Sequence, residues 1–202
     1  MDLHETAALT TRDGCKLTVR RLTANDAKAL QQFDADLSAE SHRKFLPHGY
    51  DDESVAKVLA RSESGDDFTL GAFDGDRIVG YFFLWYMDKA VPLLGIGMLD
   101  AYQHRGLGRQ MMQLLMQHGR DTGRDGIELT TMLDNDNAFA LYQKVGFVYQ
   151  GNVENVAGDG KVQVERHLFY AIKPGAQAPT GAHGPPHLGG VQGRGEVRRM
   201  GN

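Results

Sequence analysis

The sequence predicts an α/β fold, one mixed sheet flanked by helices, and three observations carry that expectation. Apolar patterning alternates between strand-like and helix-like segments in the order β-α-α-β-β-β-α-β-α-β-β. Two turn signals, Asp74-Gly75-Asp76 and Gly158-Asp159-Gly160, join neighbouring strand-like runs into hairpins. Between them Val91 to Leu99, an apolar run with Pro92 near its start, leads through a glycine turn into an amphipathic helix. A chain of 202 residues with 41% hydrophobic content can bury one good core, so one domain is expected over residues 1–173.

Lys16 to Leu22 reads as the first strand, and Thr23 with Asp26 three residues later signals the cap of a helix running toward Leu37. Ser38 to Tyr50 is polar and turn-prone and reads as a connection. Asp51, Asp52 and Glu53 open a second helix with Val55, Val58 and Leu59 on its buried side. Phe68 to Phe73 and Ile78 to Tyr86 form the first hairpin. After the glycine turn, Leu107, Met111, Leu114 and Leu115 lie on one helix face until Gly123 offers a stop. A further strand carries Glu128 and Thr130, and a short helix follows with Ala138, Leu141, Tyr142 and Val145 on one side. Gly146 suits its C-terminal stop, and Phe147 is expected to start the next strand. Val148 to Val156 and Val162 to Ile172 form the second hairpin.

Residues 174–202 hold 8 of the 25 glycines and 4 of the 6 prolines with few large apolar side chains. They bury too little to offset their ordering entropy, so a flexible, disordered tail is expected. His183 and His187 within it are spaced like metal ligands, but Gly184-Pro185-Pro186 prevents a helix from presenting them together. No metal is expected.

The chemistry concentrates in two motifs. Gln103 to Arg109 reads Q-x-x-G-x-G-R, and Gly106 and Gly108 let backbone approach a ligand closely. Because they open a helix, unpaired N–H groups and the positive end of the helix dipole face the same point, a ready site for phosphate. Arg105 and Arg109 add full charge. The turn alone does not choose the ligand, since strand-glycine-helix units also hold nucleotides. A dinucleotide fingerprint would add a third glycine, and no G-x-x-x-x-G-K-[ST] loop occurs. The second motif, Asn135 to Phe147, reads N-x-x-A-x-x-L-Y-x-K-x-G-F.

In the order, spacing and helix–strand context of these motifs, the sequence resembles the GNAT superfamily of acyl-CoA-dependent N-acetyltransferases over about residues 15 to 173. The resemblance implies the GNAT fold, with a central, mostly antiparallel mixed sheet, and acetyl-CoA as co-substrate. It implies that backbone groups of Ile96, Gly97 and Met98 pair with the pantetheine arm as an added strand. His104, Arg105, Gly106, Leu107, Gly108 and Arg109 match the pyrophosphate loop. Asn135 matches a polar contact to the cofactor arm, and is also readable as a helix cap. Tyr142 matches the phenol that faces the thioester sulfur and protonates the leaving thiolate, and is also readable as a core ring. Two departures stand out. Asp100 occupies a position where many members carry Pro, and Thr130 occupies the position of a Glu found in the subgroup that acetylates protein N-termini. Glu128, on the same strand face by the period-2 rule, is a substitute base or else an exposed carboxylate without a catalytic role.

Amine chemistry explains why a base matters. A lysine-like amine of pKa about 10.4 is neutral in about 1 molecule in 2,500 at pH 7, an α-amine of pKa about 8 in about a tenth. The expected activity is acetyl transfer to a primary amine by direct attack in a ternary complex, with a non-catalytic acyl-CoA-binding module and a nucleotide-binding α/β domain as alternatives. The expected partner is a small-molecule or protein amine, with a homodimer left open. A net charge of −4 argues against a nucleic-acid surface and suits a cationic acceptor. Cys15 stands alone, compatible with a reducing cytosol. The start lacks a basic and apolar leader, and Tyr81 to Met87 is too short to span a bilayer, so a cytoplasmic protein without membrane partners is expected.

Overall fold

Every strand-like run joins one eight-stranded sheet in the computed structural model of the protein, which describes residues 5–179. The strands are β1 (Ala7–Thr10), β2 (Lys16–Arg21), β3 (Phe68–Asp74), β4 (Arg77–Trp85), β5 (Leu93–Met98), β6 (Gly126–Met132), β7 (Val148–Val156) and β8 (Val162–Ala171). The helices are α1 (Ala27–Ala35), α2 (Ala39–Lys44), α3 (Asp52–Ser64), α4 (Leu107–Asp121) and α5 (Asp136–Lys144). Strand order is β1-β2-β3-β4-β5-β6-β8-β7, antiparallel throughout except for the parallel pair β5 and β6.

Adjacent residues of β4 show how the layers divide, because successive side chains point to opposite faces. Tyr81 meets Phe33 of α1 edge-on at 6.1 Å, whereas a Cβ on Gly80 would stand 2.3 Å from Met111 Cε of α4. Helices α1 and α4 therefore cover opposite faces of the sheet. Tyr81, Phe82, Phe83, Leu84 and Trp85 are each at most 2% exposed, which makes β4 the centre of the core.

The expected helix signals operate. The backbone N–H of Thr23 donates to Asp26 Oδ2 at 2.8 Å, Asp51 Oδ1 accepts from Ser54 N at 3.0 Å, and Gly146 ends α5 with φ +104°. Three expectations need correction. Lys16 to Leu22 is the second strand, because Ala7–Thr10 forms an edge strand ahead of it; the Gln110 side chain of α4 bonds the N–H of Thr10 at 3.1 Å and its carbonyl at 2.8 Å. The connection Ser38 to Tyr50 contains a helix, α2, capped where Ser38 Oγ accepts from Ser41 N at 3.2 Å. Phe147 precedes its strand and is buried at 2% exposure. The tail from residue 180 onward, with His183 and His187, lies outside the described residues. Among the described residues no helix is long and apolar enough to cross a membrane.

Candidate active site

Strands β5 and β6 meet at a single register pair, Leu93 with Glu128, beside a bond from Glu128 N to Pro92 O of 3.1 Å. Past that point β6 stays on β8, while Leu94 to Met98 are registered only with β4. The sheet splits there, and a cleft of about 890 Å³ opens between the diverging strands. One edge of β5 is thereby offered to a ligand.

The loop from β5 to α4 closes one end of the cleft. His104 and Gly106 both take left-handed backbone, φ +59° and +85°, and Gly106 is the N-cap of α4. The first N–H groups of α4 have no partner within the helix and converge there. A Cβ on Gly108 would lie 3.1 Å from Leu141 Cδ2 and 3.8 Å from Met98 Cε, so this glycine keeps a cradle open. Cations surround it. Arg105 pairs with Asp13, Nε to Oδ1 at 3.1 Å, and that pairing holds the Asp13 carboxyl down at about 2. Arg12, from the β1–β2 turn, also lines the cleft, and its N–H donates to Arg105 O at 2.9 Å. Sequence reasoning missed Arg12, since only the tertiary pairing of β1 brings it here. A helix N-terminus with several arginines fits a pyrophosphate.

Of the other expected residues, Ile96, Met98, Arg109, Asn135 and Tyr142 line the same cleft. Asn135 also caps α5, its Oδ1 accepting from Ala138 N at 3.4 Å. Leu107 does not line the cleft and is core, 1% exposed. Gly97 lies under the Phe45 ring, where a Cβ would come within 2.1 Å of Cδ1. Tyr142 is 8% exposed; burial first, and then the negative charge of Glu165, push its phenol up to about 12.

Glu128 and Thr130 do share a sheet face, but Glu128 is neither exposed nor a cleft residue. It is fully buried where β5, β6 and β8 still adjoin, and its Oε2 faces His167 Nε2 at 2.9 Å. Thr130 lines the cleft in its place. A second hollow of about 100 Å³ adjoins the cleft and shares Lys44, Phe45, Leu94, Gly95, Thr130 and Thr131 with it. Phe83 and Trp85, stacked at 4.0 Å, form one side; Asn155, Gln163 and Glu165 of the β7–β8 hairpin form another. Asn155 Nδ2 donates to Thr130 Oγ1 at 3.1 Å and to Glu165 Oε2 at 2.9 Å.

The profile of the acetyltransferase (GNAT) family matches residues 35–147, more than half of the chain. The chain belongs to the GNAT family. Among GNAT relatives, N-alpha-acetyltransferase RimI of Mycobacterium tuberculosis is 31% identical over 142 residues, covering 68% of this chain and 82% of RimI. Mycothiol acetyltransferase of Corynebacterium efficiens is 28% identical over 123 residues, 60% of this chain; that match spans 37% of the relative's length. The PaiA N-acetyltransferase of Thermoplasma acidophilum, solved in complex with coenzyme A, shares the GNAT fold. Its TM-score is 0.60 at 20% identity, covering 77% of this chain and 98% of that one. The profile match ends at residue 147 and so takes in both the split between β5 and β6 and the glycine loop.

Proposed function

We propose that the protein transfers an acetyl group from acetyl-CoA to a primary amine, by direct attack within a ternary complex. One observation carries the reading: a free strand edge, a glycine turn at a helix N-terminus and a buried phenol all border one cleft. The edge of β5 at Ile96, Gly97 and Met98 takes the pantetheine arm as an added strand. The loop His104 to Arg109, with Arg12, holds the pyrophosphate. An N–H on the same edge, near Met98, stabilises the oxyanion that develops on the thioester carbonyl.

Tyr142 acts on the leaving sulfur. With its phenol at about 12, it stays protonated at neutral pH and donates a hydrogen bond. Complete transfer to a thiolate whose conjugate acid lies near 8.5 is disfavoured by roughly a thousandfold, so the phenol stabilises the departing charge and solvent completes the protonation.

Thr130 lines the cleft while Glu128 lies buried outside it, which favours a second reading, a non-catalytic acyl-CoA-binding module. Calorimetric titration with acetyl-CoA, followed by incubation with a panel of amines, separates the two. Binding with N-acetylated product supports transfer, binding without product supports the module, and no binding removes both.

A further inference from the structure

The hollow beside the cleft contains a carboxylate that the two motifs do not reach. Glu165 is 7% exposed, yet among the described residues it has no cationic partner within 4.0 Å. Its oxygens are held by neutral amides instead: Oε2 by Asn155 at 2.9 Å and Oε1 by Gln163 at 2.6 Å. A carboxylate has about four lone-pair sites, so capacity remains for a further donor. A buried negative charge held only by neutral groups is costly, and a cation entering the hollow offsets that cost.

The surroundings favour the same occupant. Arg43 and Lys44 line the hollow but are engaged, Arg43 with Asp134 at 2.7 Å and Lys44 with Glu40 at 2.7 Å. Glu128 and His167 share the sheet face of Glu165 and are turned to each other at 2.9 Å. The remaining titratable neighbour is Tyr142 of α5, whose phenol responds to the charge of Glu165. A volume of about 100 Å³ accepts about three water-sized groups, which suits the end of a slim primary amine.

We propose that Glu165, fixed by Asn155 and Gln163, binds the acceptor ammonium in this hollow and takes its first proton. This deepens the acetyl-transfer reading and rests on it. The ammonium gives one proton to Glu165. Proton transfer from an ammonium to a carboxylate is uphill, so Glu165 holds the proton only transiently, as the neutral acid, while the lone pair is used. The freed lone pair forms the C–N bond, the C–S bond breaks, and sulfur leaves with the electron pair. The second nitrogen proton balances the thiolate through solvent, with Tyr142 stabilising the sulfur meanwhile, and Glu165 returns its proton to solvent. The net reaction releases one proton for each ammonium acetylated.

The test is kcat and kcat/KM for a lysine-like amine between pH about 6 and about 10, for the parent, Glu165→Gln and Glu165→Asp. Glu165→Gln should lose about 100-fold or more in kcat/KM near pH 7 with acetyl-CoA affinity retained. The loss should shrink as pH approaches the amine pKa, where the acceptor needs no base. Glu165→Asp keeps the charge and should recover part of the rate; it is also the variant to use should the Gln variant fail to fold. A folded Glu165→Gln protein with parent-like rates, or a loss independent of pH, overturns the proposal and leaves acetyl transfer standing. A parent protein that acetylates no amine removes both.

Discussion

The Ser41 hydroxyl donates to Asp100 Oδ1 at 2.8 Å, tying a helix to the end of the strand that borders the cleft. The Ser38 hydroxyl donates to the same oxygen at 2.8 Å, and Gln103 Nε2 links Ser41 Oγ at 3.0 Å to Met98 O at 3.2 Å. Asp100 therefore has a structural use of its own. It fixes α2, which hands on to Phe45 lying over Gly97.

Asp100→Ala should loosen that wall while sparing the core. These bonds are exposed, and each contributes about 1 kcal/mol or less, so the thermal midpoint should move by only a few degrees. Activity should fall several-fold, mainly through KM. Parallel melting curves and steady-state kinetics check this; a large fall in midpoint at unchanged KM would assign Asp100 to the fold instead.

The sequence carried the strand and helix order because the continuous apolar runs of β3 and β4 and the apolar periods of α3 and α4 are local properties. Helix α2 escaped because Ala39–Lys44 has a polar face all round, and its stability comes from Ser38 and from contacts with Asp100. Strand β1 escaped because four residues are held by pairing with β2 and by Gln110, both distant in sequence. The glycine loop, Asn135 and Tyr142 were legible as motifs. Glu165 was not, since its place beside Tyr142 and Thr130 depends on where β8 lies in the sheet. The same long-range pairing buried Glu128, which periodicity could assign to a face but not to a depth.

Gly108→Val fills the cradle at the start of α4. The nearest atom to the new Cβ is a Leu141 methyl at 3.1 Å, a flexible chain end that can yield, so the fold should persist. Affinity for acetyl-CoA should fall at least about tenfold, equivalent to about 1.4 kcal/mol. Calorimetric titration of both proteins decides it, and equal affinities in a folded variant would place the cofactor elsewhere.

Tyr142→Phe keeps the ring against Phe147, at 6.3 Å between centroids, and removes the hydroxyl. kcat should drop about 100-fold, toward the low end for acid–base groups, with the thermal midpoint unchanged. Because the phenol lies at about 12, the parent should show no alkaline loss from this group below pH about 10. An unchanged kcat in the variant would reduce Tyr142 to a core ring.

Acid should destabilise the fold through His48. Burial lowers it from 6.5 to about 4, with Nδ1 2.7 Å from Gly49 O and Nε2 3.1 Å from the Tyr81 hydroxyl. The unfolded chain takes up a proton below about 6.5 and the folded chain does not, so stability is complete above that pH. It is lost as pH falls toward 4, by about 3 kcal/mol in all. His118, stacked on Phe68 and also lowered to about 4 by burial, acts in the same direction. Urea unfolding at pH about 7, 5.5 and 4.5 should give a falling series, whereas a flat one would mean that His48 is accessible to protons in the fold.

Acetyl transfer itself is tested most directly by counting both products at once. Purified protein, acetyl-CoA and a lysine-like or α-amine acceptor are incubated while free thiol is titrated and N-acetylated amine is quantified by mass spectrometry. The expected result is one N-acetyl group per thiol released, with neither product formed when protein or amine is left out. Thiol release without acetylated amine, or no release with any amine, would contradict it.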